Sequence, residues 1–388
     1  MPNLSRKMAL FTDSVIRRMT RISEEYHAVN LSQGFPDFPP PQPILDRLAE
    51  VAKTGPHQYG LTWGATNLRQ ALAKYHERFS GQAVDPEREI VVTCGSTEAM
   101  MAAVLTVTDP GDKVIVFSPF YENYGADAIL SGADPIYVPL VPPAFDFDPA
   151  VLEAAFKQHP KALILCNPSN PCGKVFTKEE LMFIADLAQK YDTFVITDEV
   201  YEHIVYEPYI HTYFATLPGM AERTLTCSSL SKTFSITGWR LGYIIAPPDI
   251  IEGAKKVHDF LTVAAASPLQ EAVITGLQFG QDYYDQLLSM YTHKRNLMLQ
   301  GLDRLGIAHT NPQGAYYVLL DIGEYGFSDD LEFCEVLAKD VGVGAVPGSS
   351  FFKEPINNLI RLHFAKNDET LYEALNRLER MKHIIKKR

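Results

Sequence analysis

A lysine set among hydroxyl side chains is the first residue here whose surroundings suggest chemistry. Lys232 stands in Ser228-Ser229-Leu230-Ser231-Lys232-Thr233-Phe234, directly after the apolar, β-type run Thr224 to Cys227. Most lysines are solvated surface residues, and a Ser-x-Ser-Lys stretch alone is weak evidence. An amine in this setting suits Schiff-base formation with a carbonyl compound, and hydroxyls such as that of Ser229 beside it suit a phosphate.

Other short motifs supply what such a compound would need. Gly95-Ser96-Thr97 opens a helix pattern, where free N–H groups and the positive dipole end suit a phosphate; alone it reads as a plain helix cap. Tyr121 can stack on a flat ring, or simply pack in a core. Asn170 and Tyr201 can hydrogen-bond a phenolic oxygen, or serve in turns. Asp198 can keep a pyridine nitrogen protonated, or cap a helix. Arg240, eight residues beyond Lys232, can pair with a phosphate bidentately. Each has an ordinary structural explanation. In this order, and together, they match the needs of pyridoxal 5'-phosphate (PLP).

These residues must be positioned by strands. Glu89 to Thr93, Lys113 to Phe117, Ala162 to Cys166, Thr193 to Thr197, Thr224 to Cys227 and Leu241 to Ala246 are apolar strand candidates. Helix patterns alternate with them, among them Thr97 to Val107 and one started by a Thr177–Glu180 capping box. That alternation predicts an α/β domain with a mainly parallel sheet. In such sheets ligands bind beyond the carboxyl ends of the strands, and five of these strands end at Cys94-Gly95, Ser118, Asn167, Asp198 and the Lys232 loop. A helical region from Ser267 to Leu305 leads to a smaller α+β part, with strands at Ala315 to Leu320 and Leu359 to Phe364. Helices are expected there at Asp330 to Val341 and Asp368 to Ile385. Pro-rich stretches at Phe35 to Pro43 and Pro139 to Pro149 read as an N-terminal arm and an interior crossing loop. The division expected is an arm over 1–43 packed with the small domain, a large domain over 44–286 and a small domain over 287–388.

The chain's 388 residues exceed what one core commonly fills, roughly 250–300 residues. A net charge of −12 argues against nucleic-acid binding as the main task. Five cysteines without a CxxC pair fit a reducing cytoplasm. The start MPNLSRKMAL lacks a signal peptide's apolar core, and no apolar run reaches the ~18 residues of a membrane span. His203 and His211 stand among aromatic residues without an HExxH pattern, so a metal role has no support.

The motifs resemble those of the class I aminotransferases, PLP enzymes of fold type I, from about Asn30 to the C-terminus. Ser229-Leu230-Ser231-Lys232 with Gly238-Trp239-Arg240-Leu241-Gly242 fits the family's lysine signature. Asn167-Pro168-Ser169-Asn170-Pro171-Cys172-Gly173 fits its asparagine loop, and Thr197-Asp198-Glu199-Val200-Tyr201 its aspartate and tyrosine strand end. The resemblance implies further roles. Tyr59, in His57-Gln58-Tyr59-Gly60, would reach the neighbouring subunit's phosphate, which implies a homodimer. Arg361, in Ile360-Arg361-Leu362-His363-Phe364, would clamp the substrate α-carboxylate, with Asn170 and the backbone of Gly34 beside it. Asn30-Leu31-Ser32-Gln33-Gly34-Phe35-Pro36-Asp37-Phe38 is similar to the branch of kynurenine, glutamine–phenylpyruvate and methionine aminotransferases.

The implied activity moves an amino group from an L-amino acid to a 2-oxo acid by a ping-pong route, with Lys232 as Schiff-base lysine and proton carrier. Apolar and aromatic candidates (Ile16, Phe35, Tyr59, Tyr121, Val263) favour methionine, aromatic, kynurenine-like or broad donors. Val263-Ala264-Ala265-Ala266 offers no second arginine for an aspartate side chain, although Arg17, Arg18 or Lys256 could substitute. An aspartate aminotransferase and a cysteine-conjugate β-lyase use the same lysine and aspartate and stay open. A nucleotide-binding protein finds no GxGxxG or GxxxxGK[ST]. A regulator built on this fold lacks a basic segment.

Overall fold

The computed structural model describes residues 4–10 and 13–383. The strands, in chain order, are β1 (Val29–Asn30), β2 (Ile90–Thr93), β3 (Lys113–Ser118), β4 (Asp134–Val141), β5 (Asp146–Phe147), β6 (Ala162–Cys166), β7 (Phe194–Asp198), β8 (Thr224–Ser229), β9 (Gly242–Ile245), β10 (Tyr317–Asp321), β11 (Val343–Gly344), β12 (Val346–Pro347) and β13 (Leu359–His363). The helices are α1 (Val15–Glu25), α2 (Gln42–Thr54), α3 (Thr66–Ser80), α4 (Ser96–Val107), α5 (Glu122–Ser131), α6 (Pro149–Phe156), α7 (Lys178–Lys190), α8 (Pro248–Thr262), α9 (Ser267–Leu277), α10 (Gln281–Leu305), α11 (Asp330–Val336) and α12 (Asp368–Leu378).

Eight strands form the large sheet in the order β2-β9-β8-β7-β6-β3-β4-β5. From β4 to β8 the neighbours run parallel, whereas β9 is antiparallel to both β8 and β2. Reversing twice makes β2 point the same way as β8. The carboxyl ends of β2, β3, β6, β7 and β8 therefore share one edge.

Side chains alternate across this sheet with the period of a strand. Val114, Val116, Ile164 and Ile196 pack into one apolar cluster with α4, α5 and α8. Ile115, Phe117, Leu163, Leu165 and Val195 pack into another with α6 and α7. Burying both faces explains why these strands read as unbroken apolar runs. Each such side chain contributes about 1.5–3 kcal/mol.

Strands β10, β13 and β12 form an antiparallel sheet, and β1 pairs with β11 in parallel. A third cluster joins this sheet to α10 and α12 and takes in Met19 and Leu31 from the N-terminal segment. Helix α10 runs unbroken across position 286/287.

Several elements differ from the sequence expectation. The helical region Ser267 to Leu305 breaks at 278–280, where Gly280 caps α10. The expected helix Asp330 to Val341 finishes as a π-helical turn over Leu337–Val341, closed by Gly342 at φ 86°. The expected helix from Asp368 to Ile385 leaves α-geometry after Leu378, and its last two residues lie outside the described residues. The stretch Pro139 to Pro149 is no crossing loop. It holds the end of β4, the edge strand β5 and the first residue of α6; prolines are tolerated near a sheet edge and at a helix start. The Thr177–Glu180 capping box forms as expected. No helix among the described residues is long and apolar enough to cross a membrane.

Candidate active site

Beyond the shared carboxyl edge, three successive strands meet at one level: Cys166 of β6 pairs with Asp198 of β7, which pairs with Cys227 of β8. Two residues past Cys227 lies Ser229, and the chain then turns through Lys232. The half-buried Lys232 side chain donates from Nζ to the Gly34 carbonyl at 3.2 Å. Its ammonium lies 5.8 Å from the Tyr201 ring centre and 5.5 Å from that of Tyr316. Burial pushes its pKa down to about 8; the positive Arg240 and Arg361 push the same way, while Asp198 opposes them. Such an amine is partly neutral near pH 8, as a nucleophile requires.

Asp198 is buried, and its Oδ2 accepts from the Tyr124 hydroxyl at 2.7 Å. Burial raises its pKa to about 6, against the Tyr124 bond, the Val200 N–H and the Lys232 charge. Tyr201 is also buried, its hydroxyl 2.9 Å from that of Tyr317. Tyr121 caps the start of α5 and packs edge-on against Tyr124, with ring centres 5.8 Å apart. Burial pushes the Tyr121 phenol up to about 12.

Arg361 on β13 is fully buried. Its Nη1 donates to Asn170 Oδ1 at 2.7 Å and its Nη2 to the Ser32 carbonyl at 2.9 Å. The guanidinium lies over the rings of Tyr317 and Phe351, 4.4 and 4.5 Å from their centres. Both acceptors are neutral, so the charge is hydrogen-bonded by groups that do not neutralise it. Ser32 and Gly34 belong to one loop, shaped by Asn30, whose Oδ1 accepts from the Ser32 N–H at 3.0 Å and the Ser32 hydroxyl at 2.6 Å. The Gly34 carbonyl also takes the Tyr316 hydroxyl at 2.8 Å. A Cβ on Gly34 would lie 2.3 Å from the Tyr317 hydroxyl, so glycine is needed for this approach.

The other end of the site is built on α4. Gly95 caps it at φ 84°, and Ser96 and Thr97 are its first two residues. Arg240, in left-handed conformation at φ 54°, brings its guanidinium so close that a Cβ on Gly95 would sit 2.3 Å from Nη2. Arg240 is otherwise exposed, with Nη1 on the Thr237 carbonyl at 3.0 Å. The buried hydroxyl of Ser231 has no hydrogen-bond partner among the described residues.

The fold thus gathers Gly34, Gly95, Ser96, Thr97, Tyr121, Asn170, Asp198, Tyr201, Ser229, Lys232, Arg240 and Arg361 at one edge. Tyr59 is not drawn in: its side chain is 89% exposed on the chain that carries it. Arg18 is engaged elsewhere, with Glu335 at 2.6 Å. Sequence reasoning missed Tyr124, Tyr316, Tyr317 and the Ser32 carbonyl. Tyrosine clusters look like core packing in a sequence, and a backbone acceptor leaves no residue-type signal. PLP fits this donor set: a half-buried amine of lowered pKa, a buried carboxylate, and a helix start facing an arginine.

This architecture is that of the PLP-dependent enzymes of fold type I. A model of the family "Aminotransferase class I and II" matches residues 26–378, and the chain belongs to that family. It is similar to the "Probable N-succinyldiaminopimelate aminotransferase" of Mycobacterium tuberculosis, 36% identical over 95% of this chain and 96% of that one. The structure of that enzyme superposes with a TM-score of 0.94 over 98% of this chain and all of the other. The methionine aminotransferase of Escherichia coli is 35% identical over 97% of each chain. Aspartate aminotransferase from Thermus thermophilus, solved with maleate, shares 32% identity at a TM-score of 0.91, covering 98% of this chain and 100% of its own. The chain is accordingly a PLP-dependent aminotransferase acting on amino acids and 2-oxo acids.

Proposed function

We propose that Lys232 is the Schiff-base lysine and proton carrier of an L-amino acid aminotransferase with a methionine, aromatic, kynurenine-like or broad donor range. The observation that carries this reading is the Lys232 amine, buried to a pKa near 8 between Tyr201, Tyr316 and the Gly34 carbonyl, on the same edge as Asp198. PLP bound there would supply an electron sink for the carbanion left when a Cα proton is removed.

The residues divide the remaining work. Asp198, its Oδ2 fixed by Tyr124, would hold the pyridine nitrogen protonated. Tyr201 and Asn170 would meet the phenolic oxygen. Gly95, Ser96, Thr97, Ser229 and Arg240 would bind the phosphate, by helix dipole and guanidinium, and Tyr121 would stack on the ring. Arg361 would take the substrate α-carboxylate, its charge awaiting an anion. Lys232, once freed by the incoming amine, would move the Cα proton. Release of the first 2-oxo acid before the second binds makes the kinetics ping-pong.

Support for an apolar donor comes from Ile16, which packs in the same apolar cluster as Tyr121. The α1 N-terminus that carries it is tied down by Glu122, which accepts from the Ser14 hydroxyl at 2.7 Å and the Val15 N–H at 3.0 Å. Similarity to methionine aminotransferase points the same way. Similarity to the aspartate enzyme keeps aspartate as the second reading. We propose further that the chain works as a cytoplasmic homodimer. Tyr59, exposed in one chain near the exposed Leu61, would complete the partner's phosphate site. The division into arm, large domain and small domain at 43 and 286 is retained as a proposal; the cluster around β10 and β13 gathers α10 and α12 but also takes in Val200, Tyr201, Ile204 and Tyr206.

The test is a panel of amino donors against 2-oxoglutarate and pyruvate, with product analysis. Methionine or aromatic donors are expected to lead. A chain that used only aspartate, or released pyruvate and ammonia from cysteine conjugates without making a new amino acid, would overturn the donor assignment.

A further inference from the structure

The phosphate cradle is backed by a buried ion pair with no part in the roles above. Glu98 lies in the first turn of α4, three residues after Gly95. Its Oε1 accepts from His258 Nδ1 at 2.6 Å and from the Thr262 hydroxyl at 2.8 Å. Its Oε2 accepts from the Cys94 N–H at 2.5 Å. His258, on α8, is fully buried, and its Nε2 lies 2.9 Å from the Thr62 carbonyl.

Each ring nitrogen of His258 therefore faces an oxygen acceptor. A neutral imidazole has one N–H to give, so two donated bonds require both nitrogens to carry hydrogen. The partner is ionised to match: burial pushes the Glu98 carboxyl up, but the His258 bond and charge, the Cys94 N–H and the Thr262 hydroxyl outweigh it and hold it below the usual range. The geometry suits an imidazolium facing a carboxylate, with His258 buried and Glu98 largely so, and it links α4, α8 and the chain at Thr62.

Position gives this pair its meaning. A helix start attracts anions through its free N–H groups and dipole. Glu98 is itself an anion in that first turn. Left bare, it would repel a phosphate bound at Gly95 to Thr97. The opposite side of the cradle is already braced by backbone, since a Cβ on Gly242 would lie 2.4 Å from the Gly95 carbonyl carbon. The α8 side is held by side chains, those of Glu98, His258 and Thr262.

We propose that His258 is a positioning residue of the phosphate subsite: it neutralises Glu98 beside the cradle and, through Thr62, ties the cradle to the segment leading back to Tyr59. The proposal rests on reading Gly95 to Thr97 as the phosphate subsite. His258 touches neither cofactor nor substrate and acts through Glu98.

The test uses the full chain freed of cofactor and titrated with PLP, and separately with pyridoxal, which lacks the phosphate; the visible band reports binding. His258→Gln is expected to weaken PLP on the order of ten-fold and pyridoxal by less than about two-fold, one uncompensated charge being felt by the phosphate. The double variant His258→Gln with Glu98→Gln is expected to recover most of that loss, because the repelling carboxylate is gone. Equal losses for the two ligands, or no recovery in the double variant, would reduce the pair to a packing staple and overturn the proposal. If His258→Gln does not fold, Glu98→Gln alone decides it. PLP affinity held within about two-fold supports neutralisation, and a loss on the order of ten-fold overturns it. A wild-type chain that bound PLP no more tightly than pyridoxal would overturn the phosphate-subsite reading itself, whatever His258 does.

Discussion

Replacing Lys232 by methionine is expected to stabilise the cofactor-free chain, and to do so in a way that depends on pH. The Lys232 ammonium falls from an ordinary pKa of 10.5 to about 8 in the folded chain, chiefly through burial and then through Arg240. Between those two values the unfolded chain binds the proton and the folded chain does not. Stability then rises with pH across that window, and below about 8 the folded state carries the full cost of a poorly solvated ammonium. At about 1.4 kcal/mol per tenfold in proton affinity, the cost is on the order of 3 kcal/mol. Methionine keeps the length of the side chain and removes the charge. Urea unfolding of both proteins at a series of pH values from 7 to 9.5, without PLP, measures the difference. The variant should lead by the largest margin near pH 7, and the margin should shrink as pH rises. A margin that stayed constant over the series would refute the reasoning, because any packing difference between lysine and methionine is independent of pH.

Lys232→Ala should lose the borohydride-reducible lysine adduct and slow transamination by at least the ~10²–10⁴ assigned to a general base; near-normal turnover in a stopped-flow assay would sink the assignment. Arg361→Lys keeps the charge but loses the fork that reaches Asn170 and Ser32. One or two charge-assisted bonds of about 1.5–3 kcal/mol each should then disappear, and kcat/KM for every α-amino acid should fall by at least about ten-fold. An unchanged value would remove Arg361 from the carboxylate site. Asp198→Asn should abolish support for a protonated ring nitrogen, seen as a slowed half-reaction in single-turnover spectra; an unaltered rate counts against that pairing. Tyr59→Phe should weaken PLP by a few-fold, as loss of one hydrogen bond of about 1 kcal/mol requires. In sedimentation the wild type should run as a dimer, and a fully active monomer would contradict the shared site.

The strand ends were legible in the sequence because both faces of the large sheet are buried, leaving apolar runs of countable length that stop at polar residues. Asp198 and Asn170 stood out for that reason. The reversal of β9 was not legible: an apolar run carries no direction, and the Trp239–Arg240 turn that reverses the chain needs Arg240 in a left-handed conformation that composition does not announce. Strand β4, next to the sheet edge and with Pro135 and Pro139 in it, is hidden by its prolines. Helix α8 is absent from the sequence expectation, and so is the Glu98–His258 pair, whose members are 160 positions apart in the chain. Tyr124 was invisible as a partner of Asp198, because the sheet alone brings β7 beneath α5.

The loop from Asn30 to Gly34 lends one carbonyl to Arg361 and another to Lys232. Two of the most strongly charged groups in the site are therefore already bonded before any ligand arrives. A ligand's measured affinity reports an exchange, the new contacts less those given up by the loop. A compound that meets Arg361 alone frees one carbonyl and gains little. One that returns an acceptor to both Arg361 and Lys232 compensates both carbonyl bonds, while Gly34 keeps the Tyr316 hydroxyl. In the cofactor-free chain, selection among carboxylates would then depend on the span between the two groups as much as on the charge of either.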